Sequence, residues 1–351
     1  MIASSPSGLF CSRGNFYIDP WRPVARAVIT HAHSDHASPG SESYLCAAPG
    51  EQVLRRRLPD ARIETLPYGE AIDIGGTRVS FHPAGHILGS AQVRVEHAGE
   101  VWVVSGDYKR QPDPTCAPFE PVRCHTFITE ATFALPIYTW DPPAAVVEEI
   151  AVWWRENREQ DRPSIVFCYV LGKAQRILAE LHGTADAPIH LHGAMAAMTD
   201  AYRESGVPLA ATERITEHMR GKALARSLVL APLSARGTPW MRRLPNASVG
   251  FASGLMRVRG VRRQRAFDRG FVLSDHADWP ALLSTIAETG ASRVLVTHGW
   301  SEALARYLAE TRGLETGTIR TAFEGEAGEL TEIEEPPGNE ERAPHEPPPD
   351  S

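Results

Sequence analysis

The 351-residue chain has no apolar run approaching the roughly 18–20 residues of a membrane span, which argues against an integral membrane protein. Its first eight residues, Met1 to Gly8, lack the basic segment and apolar core of a secretory leader, so no such leader is expected. There are only five cysteines: Cys11, Cys46, Cys116, Cys124 and Cys168. They are odd in number and far apart, and none forms a C-x-x-C pair. A disulfide framework and a thiolate zinc site are therefore not expected, and a reducing, cytoplasmic setting is. Charged residues at 23% and hydrophobic residues at 42% leave no room for a mostly disordered chain, a collagen or a coiled coil.

Acid is also missing where base is plentiful. From Arg236 to Arg265 there are eight arginines (Arg236, Arg242, Arg243, Arg257, Arg259, Arg262, Arg263 and Arg265) and no acid. The opposite holds at the end of the chain. Residues 324–351 carry ten acids and one base, Arg342, leaving +2 on residues 1–323 of a chain whose total is −7. The run after Pro336 is rich in proline and glutamate and reads as a disordered, solubilising tail, residues 336–351. The arginine-rich stretch points to a polyanion, because guanidinium forks pair phosphate oxygens and such contacts dominate affinity for nucleic acid. Arg236, Arg257, Arg259, Arg262 and Arg263 are the candidate phosphate contacts, with Lys173 added because it opens a helix. Trp240 and Phe251 are candidates to stack on bases, or else members of a core.

The length suggests about two domains. The first 110 residues read as short strands joined by turns: Val24–Thr30, Thr77–His82, Ala91–Val95 and Val101–Ser105. Near Asp141 the texture changes. A helix is expected over Pro142–Asn157, then a continuous apolar strand over Ser164–Val170, then a helix opened by Gly172-Lys173-Ala174-Gln175. This order marks a parallel α/β region, with further strands at Ser227–Ala231 and Ser248–Ala252. Past Gly270 the pattern becomes strand, Ser274-Asp275-His276, helix, strand (Arg293–Thr297), His298, helix.

The strongest chemical signal is Thr30-His31-Ala32-His33-Ser34-Asp35-His36, three histidines and an aspartate within six residues and directly after an apolar strand. Imidazole and carboxylate are the ligand types that suit zinc or manganese. Three more candidates stand at strand ends: His86 in Ala-Gly-His, Asp107 in Ser-Gly-Asp and His298 in Val-Thr-His-Gly. Together these seven residues suffice for two divalent ions, zinc and/or manganese, with one carboxylate shared.

H-x-H-x-D-H with a later Gly-His, a Gly-Asp and a C-terminal strand ending in His resembles the metallo-β-lactamase superfamily. That resemblance implies an αββα sandwich with a metal site at one edge. It also implies an aspartate after an early strand that supports the ligand loop, matching Asp19 in Tyr17-Ile18-Asp19. The segment from about 141 to 265 resembles an inserted α/β β-CASP cap, the mark of the nucleic-acid-processing branch. The expected division is therefore 1–140 and 266–335 for the metallo-β-lactamase domain and 141–265 for the cap. Three motifs of that branch match Glu130 in Phe-Ile-Thr-Glu, His276 in Ser-Asp-His-Ala-Asp, and His298. Histidine at the last motif is typical of RNA-cleaving members. The whole-chain pattern, with Gly270 to Trp279 and Val296 to Gly299, looks more like bacterial ligase-associated DNA exonucleases.

The resemblance implies phosphodiester hydrolysis. His31, His33 and His86 would hold one ion, Asp35, His36 and His298 the other, with Asp107 bridging. Asp35 could also orient the attacking water or take its proton. His276 is the candidate general acid and Glu130 its orienting partner. Ser274 and Asp275 are candidates for a terminal phosphate. The expected function is a DNA exonuclease acting from a 5′ end in DNA repair, with DNA as substrate and an ATP-dependent DNA ligase as a possible partner. The alternative is an RNA-processing endo- or exoribonuclease, with a non-catalytic nucleic-acid-binding scaffold and a small-molecule hydrolase behind it.

Overall fold

Alternation along the strands sets the layers. The computed structural model describes residues 1–258 and 266–319. Arg259, Arg262, Arg263, Arg265 and the acidic tail lie outside them. The first sheet contains β1 (Ile2–Ser5), β2 (Gly8–Cys11), β3 (Phe16–Ile18), β4 (Ala27–Ile29), β5 (Tyr44–Ala47) and β6 (Ile63–Leu66), in that order across the sheet. In the second sheet β7 (Ala71–Ile74), β8 (Thr77–Pro83), β9 (Ala91–His97), β10 (Glu100–Val104) and β11 (Thr126–Ala131) are joined by β18 (Arg293–Gly299) and β19 (Glu315–Thr318) beyond β11. Val28, Leu45 and Ala47 from the first sheet and Trp102, Val104, Ile128 and Leu295 from the second share one apolar core between the two. Their sequence neighbours point outward, because side chains alternate across a strand.

On the outer side of the first sheet, Ala27, Ile29, Tyr44 and Cys46 pack with Val53 and Leu54 of α1 (Glu51–Arg57). On the outer side of the second, Val103, Phe127, Val294 and Val296 pack with α5 (Trp279–Thr289) and α6 (Ser301–Arg312). The order is helix, sheet, sheet, helix.

A third sheet is built from β12 (Ser164–Phe167), β13 (Ile189–Leu191), β14 (Thr212–Arg214), β15 (Leu228–Ala231), β16 (Ser248–Ala252) and β17 (Arg269–Phe271), ordered β14-β13-β15-β12-β16-β17. All its pairings are parallel. Helices α2 (Pro143–Glu159), α3 (Lys173–Glu180) and α4 (Gly193–Glu204) cover one face, and their apolar residues join the core that also holds α1. The sheet takes β17 from beyond residue 265, so its pairing extends past the expected end of the inserted segment. The strand expected over Val24–Thr30 is shorter, Ala27–Ile29, and that expected over Ser164–Val170 stops at Phe167. Cys168 to Gly172 turn away to start α3.

Candidate metal centre

Parallel pairing brings the candidate residues together. Val104 of β10 lies beside Ile128 of β11, and Thr129 of β11 beside Val296 of β18. The carboxyl ends of three adjacent strands therefore present Asp107, Glu130 and His298 side by side. His31, His33 and His36 come from the loop after β4, His86 from the loop after β8 and His276 from the loop between β17 and α5. Gly106 makes the closest approach possible. Its φ is +55°, and a Cβ there would stand 2.6 Å from the Thr30 side chain, so only glycine fits.

Asp107 is the hub. Its carboxylate lies 3.6 Å from His31 Nε2, 3.5 Å from His36 Nε2, 3.8 Å from His86 Nε2 and 2.9 Å from His298 Nε2. The donor atoms form overlapping groups: His31, His33, His86 and Asp107; His36, Asp107 and His298; and Asp107, Glu130 and His276. Asp35 stands at the margin, 3.6 Å from His36 Nε2 and with its side chain 30% exposed.

Hydrogen-bond accounting shows what these rings present. A carbonyl can only accept, so His33 donates from Nε2 to Leu171 O (3.1 Å) and His86 from Nδ1 to Asp275 O (2.8 Å). His36 donates from Nδ1 to the Asp19 carboxylate at 2.7 Å. Thr30 Oγ1 donates to Asp19 and so accepts from His31 Nδ1 at 3.1 Å. Thr297 Oγ1 donates to Thr129 O and accepts from His298 Nδ1 at 3.0 Å. In His31, His33 and His86 the remaining nitrogen carries a lone pair directed inward; in His36 and His298 the remaining Nε2 faces the Asp107 carboxylate, which only accepts, at 3.5 and 2.9 Å, and would give up a proton to bind an ion. His33 Nδ1 lies 3.1 Å from His31 Nε2 and 3.0 Å from His86 Nε2. Lone pairs do not bond one another. Spacings this short are near the roughly 3.3 Å expected between two imidazoles sharing one tetrahedral ion at about 2.0–2.1 Å. The donor set fits divalent cations.

The local electrostatics agree. Burial, reinforced by neighbouring His36, holds the His31 imidazole well below its ordinary value. Burial and His276 do the same for His86. Burial also lowers His36, but Asp107, Asp35 and Asp19 outweigh it and hold that ring well above. Asp107 is pushed up by burial and pulled well below the carboxylate range by His36 and His276. Asp19 itself sits at φ +45°, a left-handed conformation that aspartate tolerates better than most residues.

His276 is arranged differently. Its Nδ1 meets both Glu130 oxygens, at 3.1 and 2.9 Å, and Glu130 also accepts from Tyr108 N at 2.8 Å. Trp140 Nε1 donates to His276 O at 2.9 Å. A ring held this way by a buried carboxylate is oriented to exchange a proton at Nε2. Beside His36, Asp35 and His298, a cleft of about 460 Å³ open to solvent is walled by Leu9, Ile18, Trp21 and Ile128.

The expectations for Lys173, Ser274 and Asp275 need correction. Lys173, expected at a phosphate, is fully enclosed: its ammonium lies 3.6 Å from Asp275 and over the Tyr169 ring at 4.5 Å. Asp275, expected at a terminal phosphate, faces Lys173 and Arg176 instead. Ser274 is buried too; its hydroxyl accepts from His276 N at 3.1 Å and its carbonyl accepts from Lys109. Phe251 is a core residue stacked on Phe267 at 5.1 Å. Trp240 is half-buried against His192 at 4.8 Å. Arg236 lies over Phe267, and Arg257 bonds Thr139 and pairs with Asp141 at 3.4 Å. Sequence reasoning missed Leu171, Thr30, Thr297 and Lys109. Three act through a main-chain carbonyl or an ordinary hydroxyl, and no motif marks those. Among the described residues, no helix is long and apolar enough to cross a membrane.

No protein-family model matches the chain. It is 32% identical over 318 residues to a probable DNA ligase of Opitutus terrae, an alignment covering 89% of this chain and 30% of that one. It is 35% identical over 119 residues to endoribonuclease YSH1 of Saccharomyces cerevisiae, covering 33% of this chain and 15% of that one. It is 30% identical over 128 residues to cleavage and polyadenylation specificity factor 73 of Drosophila melanogaster, covering 33% and 17%. The chain thus spans less than a third of the length of these relatives. A crystal structure of a protein of unknown function from Enterococcus faecalis V583 superposes with a TM-score of 0.55 over 86% of this chain and 80% of that one. At 14% identity that likeness is one of fold.

Proposed function

We propose that this chain, which belongs to the β-CASP branch of the metallo-β-lactamase superfamily, is a metal-dependent nuclease that cuts phosphodiester bonds. The observation that carries the reading is the convergence of five imidazoles around one buried carboxylate, Asp107. The face-to-face sheets with outer helices are read as the αββα sandwich, and the third sheet as the β-CASP cap.

His31, His33, His86 and Asp107 would hold one divalent ion, zinc or manganese. His36, His298 and Asp107, with Asp35 at the margin, would hold the other. Bound there, the two ions supply Lewis acidity and lower the pKa of water. Asp35 is exposed enough to accept a proton from the attacking water. His276, oriented through Nδ1 by Glu130, hands a proton from Nε2 to the leaving oxygen. Asp19 holds His36 and the Thr30 main chain in place from outside the ligand set.

DNA is the proposed substrate, attacked from a 5′ end in repair. Support comes from the relative named a probable DNA ligase, which aligns with 89% of this chain. The alignment takes up 30% of that longer protein, which favours a ligase as a working partner of this chain. The second reading is an RNA nuclease, favoured by relatives named endoribonucleases over about a third of the chain. The test is digestion of end-labelled DNA and RNA of matched sequence, with and without a 5′-phosphate, in zinc, manganese or magnesium. Activity on DNA equal to or above that on RNA, releasing nucleotides from the 5′ end, is expected. A strong RNA preference with every metal transfers the assignment to the second reading.

A further inference from the structure

A short turn of the cap reaches the metal centre. Leu171-Gly172-Lys173, between β12 and α3, reaches three separate loops around the site. The Leu171 carbonyl accepts from His33 Nε2 at 3.1 Å. Gly172 sits at φ +92° against the loop that carries His86, and a Cβ there would stand 2.5 Å from Ile87 Cγ2. Lys173, fully buried, lies 3.6 Å from the Asp275 carboxylate. The main-chain carbonyl of that same Asp275 accepts from His86 Nδ1 at 2.8 Å.

Around Asp275 the charges are closely arranged and shielded from water. Lys109, Lys173 and Arg176 are all buried, and Arg176 Nη1 lies 3.9 Å from Asp275 and its Nε 3.5 Å from Asp113. Lys109 Nζ and Arg176 Nη1 both donate to the Ser274 carbonyl. Two of these cations, Lys173 and Arg176, belong to the cap helix, whereas Lys109 and Asp275 belong to the metal-bearing part. A buried ion pair that loses one partner leaves an uncompensated charge, so such a cluster specifies how its two parts seat.

We propose that the turn Leu171-Gly172-Lys173 is a positioning element for the metal centre. Leu171 orients His33 directly, and Lys173 orients His86 by anchoring Asp275. The affinity of the His31, His33, His86 and Asp107 group for its ion then depends on how the cap is seated. Neither Leu171 nor Lys173 touches the ion. The proposal rests on the metal-centre reading above and extends it to the cap.

The test titrates the full-length, metal-free chain with zinc and with cobalt(II), recording affinity, stoichiometry and the cobalt absorption spectrum. Lys173→Met keeps most of the side chain's length and removes its charge. It is expected to weaken one of two ions by about 10–100-fold and to alter the cobalt spectrum, the usual scale for groups that orient ligands from outside. Asp275→Asn, which preserves shape, serves where Lys173→Met does not fold and shifts affinity in the same direction. Arg56→Ala is the control. It breaks the exposed Arg56–Glu204 pair between α1 and α4, which spans the same two parts without reaching a ligand, and should bind both ions as wild type does. A folded Lys173→Met or Asp275→Asn chain with wild-type affinity and an unchanged cobalt spectrum overturns the proposal. Equal losses in Arg56→Ala overturn it as well, since seating in general would then be responsible. Wild-type chain that binds neither ion refutes the metal-centre reading itself.

Discussion

Asp19→Asn is the most informative single change to the ligand shell. Asp19 accepts from three donors: Thr30 N at 2.8 Å, Thr30 Oγ1 at 2.5 Å and His36 Nδ1 at 2.7 Å. An amide of the same shape has only one oxygen, so whichever way it turns, at least one donor faces an NH₂ group. Asparagine tolerates the φ of +45° as readily as aspartate, so the substitution adds no backbone strain. The outcome turns on His36. With the amide nitrogen turned toward it, the ring loses its acceptor at Nδ1, and the Nδ1–H tautomer that frees Nε2 for an ion is no longer favoured. Affinity at the His36, Asp107 and His298 group should fall about 10–100-fold, or about 1.4–2.7 kcal/mol. The metal-free protein should also lose about 1.5–3 kcal/mol of stability, the scale of one hydrogen bond to a charged group. Zinc titration against a chromophoric chelator, with denaturant unfolding of the metal-free chain, measures both. Two ions bound at wild-type affinity would refute the hydrogen-bond accounting. Selective loss of the ion at His31, His33 and His86 would show that Asp19 supports the other group.

His276→Ala should slow hydrolysis by about 10²–10⁴-fold while bound metal, measured by elemental analysis, stays unchanged; metal loss would make it a ligand. His31 and His86 are held below their ordinary pKa chiefly by burial, so the unfolded chain binds protons there first as pH falls. Urea unfolding of the metal-free protein should therefore show stability falling below about pH 6.5, by about 1.4 kcal/mol per pH unit for each ring until its folded pKa is reached. His36 is held above its ordinary value, so its own contribution grows as pH falls toward about 6.5 and is complete below it; a flat profile from pH 6 to 5 counts against neutral, buried rings. Neutralising Arg257, Arg259, Arg262 and Arg263 together should weaken DNA binding and flatten the slope of log K against log salt by about 0.7 per lost contact on a single strand. A folded variant with an unchanged slope would place the nucleic-acid path elsewhere.

Much of the site was legible because its residue types are rare and their spacing is tight. His31, His33, Asp35 and His36 stand together in sequence. His86 and Asp107 follow apolar strands and His298 stands at the end of one, where α/β folds place ligand-binding groups. Continuous apolar runs in Val101 to Val104 and Val294 to Val296 likewise announced strands with two buried faces. Lys173 was misread for a physical reason. A lysine opening a helix has the same local sequence whether it meets solvent or a buried carboxylate, and its partner lies 102 positions away at Asp275.

By itself the sequence determined the ligand chemistry, the strand-and-helix texture and the change of architecture near Asp141, because all three depend on residue type and short-range period. Only the tertiary structure decided which ring nitrogen each histidine presents. That choice is made by Leu171, Asp275, Asp19, Thr30 and Thr297, whose carbonyl, carboxylate and hydroxyl groups acquire direction only when the three sheets and their helices are packed. A hydrogen bond needs an acceptor at about 3 Å along a fixed direction, and spacing along the chain carries neither.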